Sequence, residues 1–138
     1  DNGSIRMQMF KNGNIQNTNN SYGQISDVKH KENIVDASSQ WNDIKNVKVR
    51  KFNFKESSGF ETHTQIGVVA QELETISPGL IHTENDIEIN EDTGEGKVTG
   101  TTKSVKYSIL YMKAIKALQE AMTRIEILES EVNTLKGS

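Results

Sequence analysis

The stretch KYSILYMKAIKALQEAMTRIEILESEVNTLK, residues 106–136, decides how the rest of the chain is read. Its apolar residues fall into unbroken heptads, with Tyr111, Leu118, Ile125 and Val132 at a and Ala114, Ala121, Leu128 and Leu135 at d. A period of 3.5 residues held over such a length specifies a left-handed coiled coil. The first two heptads also carry Leu110 and Ala117 at g and Ile115 and Met122 at e, a wide apolar face suited to packing on the rest of the domain. The last two heptads narrow to the a/d seam, with Ile127 the one apolar residue off it. In a parallel assembly a g residue meets the e residue five positions later in a neighbouring chain, so Arg124 faces Glu129 and Glu131 faces Lys136. Such pairs are worth only tenths of a kcal/mol, but they discriminate between orientations. An ordinary amphipathic helix lying on its own core would leave Ile125, Leu128 and Val132 uncovered. The mixture of Leu, Ile, Val and Ala leaves dimer and trimer both open.

Composition makes the same demand for partners. Of 138 residues 33% are apolar, with one Trp and four Phe; counted with glycine the share is about 38%, against about 45–50% in an ordinary globular chain. A lone domain of this length must bury about two-thirds of its unfolded surface, so the missing core is expected from other chains. The absence of Cys excludes a disulfide framework, a thiolate nucleophile and a Cys-based zinc site. No run of about 18 apolar residues exists, so no membrane span is expected, and DNGSIRMQMF at the start has neither a basic nor an apolar signal region. A net charge of -3 offers no general attraction to nucleic acid or an anionic membrane.

Upstream of the heptads the chain changes character at Ser26. Ile5, Met7 and Met9 alternate with polar residues before Asn12-Gly13, which predicts a short hairpin with a type I′ turn. Asn14 to Gln24 (NIQNTNNSYGQ) holds only Ile15 and Tyr22 as large apolar groups and reads as the tail of a larger fibrous or β-rich structure, or a linker. Asp36 is the expected N-cap of a short helix through Trp41 and Ile44, followed by a strand over Val47–Phe54 whose alternation breaks at Arg50-Lys51. Gln65 to Val69 predicts a second strand and Ala70 to Ile76 a short helix, stopped by Ser77-Pro78-Gly79. Leu80 to His82, Asp86 to Ile89 and Lys97 to Thr99, around the turn-rich NEDTGEG, predict a protruding β-hairpin with Ile87, Ile89 and Val98 on one face. Three apolar side chains are too few for a core of its own. The fold class is therefore α+β: a small mixed domain with short helices and a protruding hairpin, ending in a long coiled-coil helix over 106–136.

Most candidate chemistry falls away. His30, His63 and His82 are scattered without metal-ligand spacing. Asp86-x-Glu88-x-Asn90 starts like a calcium loop, but Glu91 occupies the sixth position where glycine is required. The basic residues between Lys45 and Lys55, with Phe52 and Phe54, read as a solvated strand face given the acidic balance. No phosphate loop and no Gly-x-Ser-x-Gly elbow occurs, and no metal or cofactor is expected. What remains is Ser26-Asp27-Val28-Lys29-His30-Lys31-Glu32-Asn33-Ile34. A serine can be activated by a lysine base when burial or nearby positive charge lowers the lysine pKa from about 10.4 toward neutrality. Ser26 and Lys31 share neither a strand face nor a helix face, so only a turn between them could bring the side chains together; without it the segment is a charged, solvated loop.

The order SDVKHKENI, then IGVVAQELE with its Pro-containing stop, then KSVKYSILYMKAIKALQEAMTRIEILESEV resembles the self-cleaving intramolecular chaperone domain at the C-terminus of phage tailspikes, tail fibres and neck appendages. The resemblance runs from Ser26 to about Leu135. It implies a homotrimer whose client is the preceding β-rich fibre stalk, with residues 1–25 as the end of that stalk and 26–138 as the chaperone and autopeptidase domain. It further implies folding in the host cytoplasm during phage assembly and release from the mature fibre after a single autocatalytic cut in cis. The family pattern Ser-Asp-x-basic-x-Lys-x-Asn maps onto Ser26 as nucleophile, Lys31 as general base, and Asp27, Lys29 and Asn33 as supporting residues. Lys29 stands where the family often has Arg, which keeps the charge and loses a bidentate contact. Attack of Ser26 Oγ on the Ile25 carbonyl passes through a five-membered ring, whereas attack on its own carbonyl needs a strained four-membered one, which favours the Ile25–Ser26 bond within one chain. Backbone N–H groups, Asn33 or Gln71 are candidates for the oxyanion. The alternative is a trimerisation module at a fibre tip in which Ser26 and Lys31 are inert.

Overall fold

A computed structural model describes residues 3–137; Asp1, Asn2 and Ser138, which belong to the two expected segments, lie outside the described residues. The chain runs β1 (Met7–Met9), β2 (Ile15–Asn17), α1 (Trp41–Asn46), β3 (Arg50–Phe52), β4 (Gln65–Gly67), α2 (Ala70–Glu74), β5 (Ile81–Ile89), β6 (Gly96–Val105) and α3 (Tyr107–Lys136), with 3-10 turns at Val28–His30, Glu56–Ser58 and Pro78–Leu80. The strands form three two-stranded sheets, β1-β2, β3-β4 and β5-β6. The chain divides into two units, one made of the residues up to Asp36 with Phe52–Gln65, the other of Ala37–Lys51 with Ile66 onwards.

The first unit holds no buried residue among those described. Its hairpin pairs Met7 with Asn17 and Met9 with Ile15. The connection is not the expected type I′ turn, which needs positive φ at two successive residues. Only Gly13 has it, at φ 91, and the Gly13 amide donates to Phe10 O at 2.9 Å while Phe10 N donates to Asn14 O at 2.8 Å. The loop is thus Lys11-Asn12-Gly13, with Asn12 in ordinary backbone space and its side chain donating to Glu61 Oε1 at 3.0 Å. Phe52, Phe54 and Phe60 meet edge to face at 5.5 and 5.1 Å between ring centroids. Beside them Asn53 Nδ2 donates to Thr62 O and Thr64 Oγ1.

The second unit contains what core there is. Leu73, Leu80 and Leu110 are buried together, with Ile44, Val47, Val68, Ile81 and Val105 packed against them. The core thus gathers side chains from both short helices, the root of the β5-β6 hairpin and the first turn of α3. Several expectations are corrected here. Helix α1 starts at Trp41 after Gln40, five residues beyond the expected Asp36 cap, and Gln40 offers no side-chain cap of its own. The carboxylate of Glu120, on α3, supplies it by accepting from Gln40 N at 2.7 Å and from Ser39 Oγ at 2.5 Å. The expected strand from Val47 is confined to Arg50–Phe52, because Val47 ends α1 and its side chain is drawn into the core. Pro78 opens a 3-10 turn after α2, where its missing N–H costs nothing.

The hairpin is longer than its apolar alternation predicts, since Ile81 pairs with Val105 and the ladder continues to Ile89 opposite Gly96. The added rungs, such as Thr83 with Lys103 and Asn85 with Thr101, are polar on both faces and leave no hydrophobic pattern to read. A register shift at Asp86/Ile87 makes Thr99 an extra residue on β6. As expected, Ile87, Ile89 and Val98 share a face and are exposed.

Helix α3 spans Tyr107–Lys136, with Lys106 as its N-cap residue. The g residues Leu110 and Ala117 are buried against the domain, whereas the e residues Ile115 and Met122, expected on that face, remain exposed. The difference is geometric: α1 lies along the g side of the helix, where Lys113 Nζ meets Asp43 Oδ2 at 3.0 Å and the Arg124 guanidinium stacks 3.7 Å from the Trp41 ring centre. Arg124 is therefore engaged within its own chain. On the other side Lys103 Nζ donates to both oxygens of Glu74 at 2.8 Å, joining β6 to α2.

Candidate active site

Ser26 and Lys31 belong to the first unit, and the turn their spacing requires is present. Asp27 precedes the 3-10 turn Val28–His30, with φ -67 and ψ 136, and its carboxylate oxygen accepts from Lys29 N at 2.9 Å. His30 N donates to Asp27 O at 3.1 Å and Lys31 N to Val28 O at 3.0 Å, closing the turn. Lys31 then leaves in extended conformation, with φ -122 and ψ 147. The reversal returns the lysine side chain to its starting point, and Lys31 Nζ lies 2.5 Å from Ser26 Oγ. At this separation an ammonium donates to the hydroxyl oxygen, and a free amine would accept the hydroxyl proton across the same distance.

The supporting residues divide. Asp27 is explained as a cap: its carboxylate oxygen satisfies the Lys29 amide in the first turn. Asn33 has φ 54, one of two non-glycine residues in the left-handed region among those described, and Asn is a residue type that tolerates it. Lys29 lies within the turn and is exposed, as are all the residues from Ile25 to Asn33. Gln71 stands in the first turn of α2, in the other unit, and is also exposed. The local hydrogen bonds therefore unite Ser26, Asp27 and Lys31 in one turn, with Asn33 setting the direction of the chain just beyond.

The seam residues Tyr111, Leu118, Ile125, Leu128, Val132 and Leu135 are all exposed. Along the first half of the seam, Trp41, Ile44, Ala114, Ala117, Leu118 and Ala121 border an open apolar groove of about 440 Å³. The groove is not legible in the heptads alone. Its only signal is alanine at two successive d positions, Ala114 and Ala121, where larger residues would fill the space. Among the described residues no three His, Asp or Glu side chains gather as a metal site would require.

Comparison with known proteins finds two likenesses. Residues 26–82 match the peptidase S74 family model, described as chaperone of endosialidase. That span begins at the serine of the capped turn and includes both SDVKHKENI and IGVVAQELE. A solved structure described as a novel intramolecular chaperone superposes with a TM-score of 0.55 at 20% identity, covering 72% of this chain and 99% of that one. This second likeness is one of fold. No curated protein matches the chain.

Proposed function

We propose that the chain is an intramolecular chaperone that trimerises through α3, holds a β-rich fibre client while it folds, and then releases itself by one cut at Ser26. The observation that carries the reading is the 2.5 Å contact between Lys31 Nζ and Ser26 Oγ within a capped turn. The match of residues 26–82 to the chaperone-of-endosialidase family supports it. In this scheme the Lys31 amine takes the Ser26 hydroxyl proton as Oγ attacks the Ile25 carbonyl carbon. The tetrahedral intermediate collapses by breaking the Ile25–Ser26 C–N bond, and the lysine ammonium returns its proton to the leaving Ser26 nitrogen. Water then hydrolyses the ester, giving an Ile25 carboxylate and a Ser26 N-terminus with its hydroxyl restored.

The client is the stalk of a phage tailspike, tail fibre or neck appendage, of which residues 1–25 are the end. Folding takes place in the host cytoplasm and the cleaved domain is absent from the mature fibre. A homotrimer with a parallel coiled coil accounts for the exposed a/d seam, and the groove beside Trp41 gives the first half of that seam a place to receive a neighbouring helix. The timing of cleavage also follows from assembly. Ser26 and Lys31 are exposed in the single chain; burying a lysine between chains disfavours its ammonium form and frees the amine to act as base.

The test is a time course of intact mass on freshly expressed chain. Wild type should split into two fragments whose masses locate the cut beside Ser26. Ser26→Ala and Lys31→Met should trimerise and stay whole. A Ser26→Ala chain that still splits at this site removes the nucleophile assignment. A wild-type trimer that never splits leaves a trimerisation module in which the pair is inert.

A further inference from the structure

An extended chain would hold Ser26 and Lys31 about 16 Å apart with their side chains on opposite faces. They meet only because residues 27–31 double back, and three hydrogen bonds hold that reversal: Lys29 N to Asp27 Oδ1, His30 N to Asp27 O and Lys31 N to Val28 O. Two of the three end on Asp27. Packing contributes little, since no residue of the turn is buried and Val28, its one aliphatic side chain, is 70% exposed. A single 3-10 turn without packing is a marginal element, so its population depends on the cap.

We infer that Asp27 is a positioning residue for the cut: by accepting the Lys29 amide, its carboxylate oxygen holds the turn that presents the Lys31 amine to the Ser26 hydroxyl. The inference rests on the reading of Ser26 and Lys31 as nucleophile and base. Asp27 touches neither reacting atom in this role, and its charge is dispensable. Any side chain that places an acceptor oxygen at the same point should serve, and Asn is equal to Asp as a helix cap, whereas Ala offers no acceptor.

The experiment compares wild type, Asp27→Asn and Asp27→Ala in the full chain, following the first-order rate of the cut across pH, the oligomeric mass, and hydrogen exchange at the Lys29 amide. Asp27→Asn should cut within about twofold of wild type. Asp27→Ala should cut roughly fivefold more slowly, the loss of one cap, with the same oligomeric mass and an unchanged pH profile. Lys29 amide exchange should quicken in Asp27→Ala alone. An Asn variant as slow as the Ala variant, or an Ala variant as fast as wild type, overturns the inference. If wild type does not cut, the failure lies with the Ser26–Lys31 reading, and the exchange data still decide on the cap: equal Lys29 protection in wild type and Asp27→Ala overturns it.

Discussion

Asn33 sits at φ 54 two residues after the lysine of the candidate dyad, and its backbone explains its presence without any contact to reacting atoms. An L-residue in the left-handed region pays roughly 1–2 kcal/mol, least for Asn and nothing for Gly. Asn33→Gly should therefore cut at close to the wild-type rate, while Asn33→Val should slow or abolish the cut by straightening the chain after Lys31. If the Asn33 amide instead stabilises an oxyanion, Gly would be slower by about a hundredfold or more, the usual loss for one such donor. Rate constants for the two variants, read from fragment masses, separate the two roles. The motif residues were legible in the sequence as a pattern, and their spacing correctly demanded a turn. Their division of labour was not: Asp27 in particular reads in one dimension as a charge near a nucleophile, and only the 2.9 Å contact to Lys29 N identifies a cap.

At the level of elements, α1 shows how a helix of six residues persists when its N-cap residue, Gln40, supplies no side-chain hydrogen bond and only Ser39 Oγ, at 3.3 Å, accepts from the first helical amide, Trp41 N. Glu120, a distant residue on α3, receives Ser39 Oγ and Gln40 N, and one turn further along the Arg124 guanidinium covers the Trp41 ring. No local rule reveals a cap that arrives from eighty positions away, which is why Asp36 looked the better start. The long helix and α2 were legible because heptad periodicity and the Ser77-Pro78-Gly79 stop are local. The lower halves of β5 and β6 were not, because backbone pairing between polar residues leaves no hydrophobic trace. The Glu120 latch has a pH dependence of definite sign. Hydrogen bonds from Ser39 and then from Gln40 N hold the Glu120 carboxyl below the usual glutamate range. A carboxyl whose folded value is depressed adds stability that is fully present above the unfolded value of about 4.3 and is lost as pH falls through the lower folded value. Acidification below about pH 4.3 should therefore loosen α1 before the core opens, seen as a change in Trp41 emission. Glu120→Gln should remove this acid step while keeping an acceptor oxygen for Gln40 N. Persistence of the same transition in Glu120→Gln would assign it to another group.

On the scale of the whole molecule, large apolar side chains stay exposed where the heptads place the seam: Tyr111, Leu118, Ile125 and Leu128 are each more than half exposed. The low apolar content read from composition thus corresponds to a core of three leucines in the second unit and no buried residue among those described in the first. Ile125→Asp with Leu128→Asp separates assembly from local folding, because neither residue belongs to that core and both project from the free half of α3 beyond the groove. A charge at adjacent a and d positions of every chain adds desolvation cost and repulsion to each layer, so the double variant should sediment as a monomer with α1 and the leucine core retained, as near-ultraviolet dichroism from Trp41 would report. If burial between chains is what turns Lys31 into a base, the monomer should also remain whole for as long as wild type takes to cut completely. A monomer that cuts at the wild-type rate would place the entire catalytic requirement within the turn at Val28–His30 and detach chaperone timing from assembly.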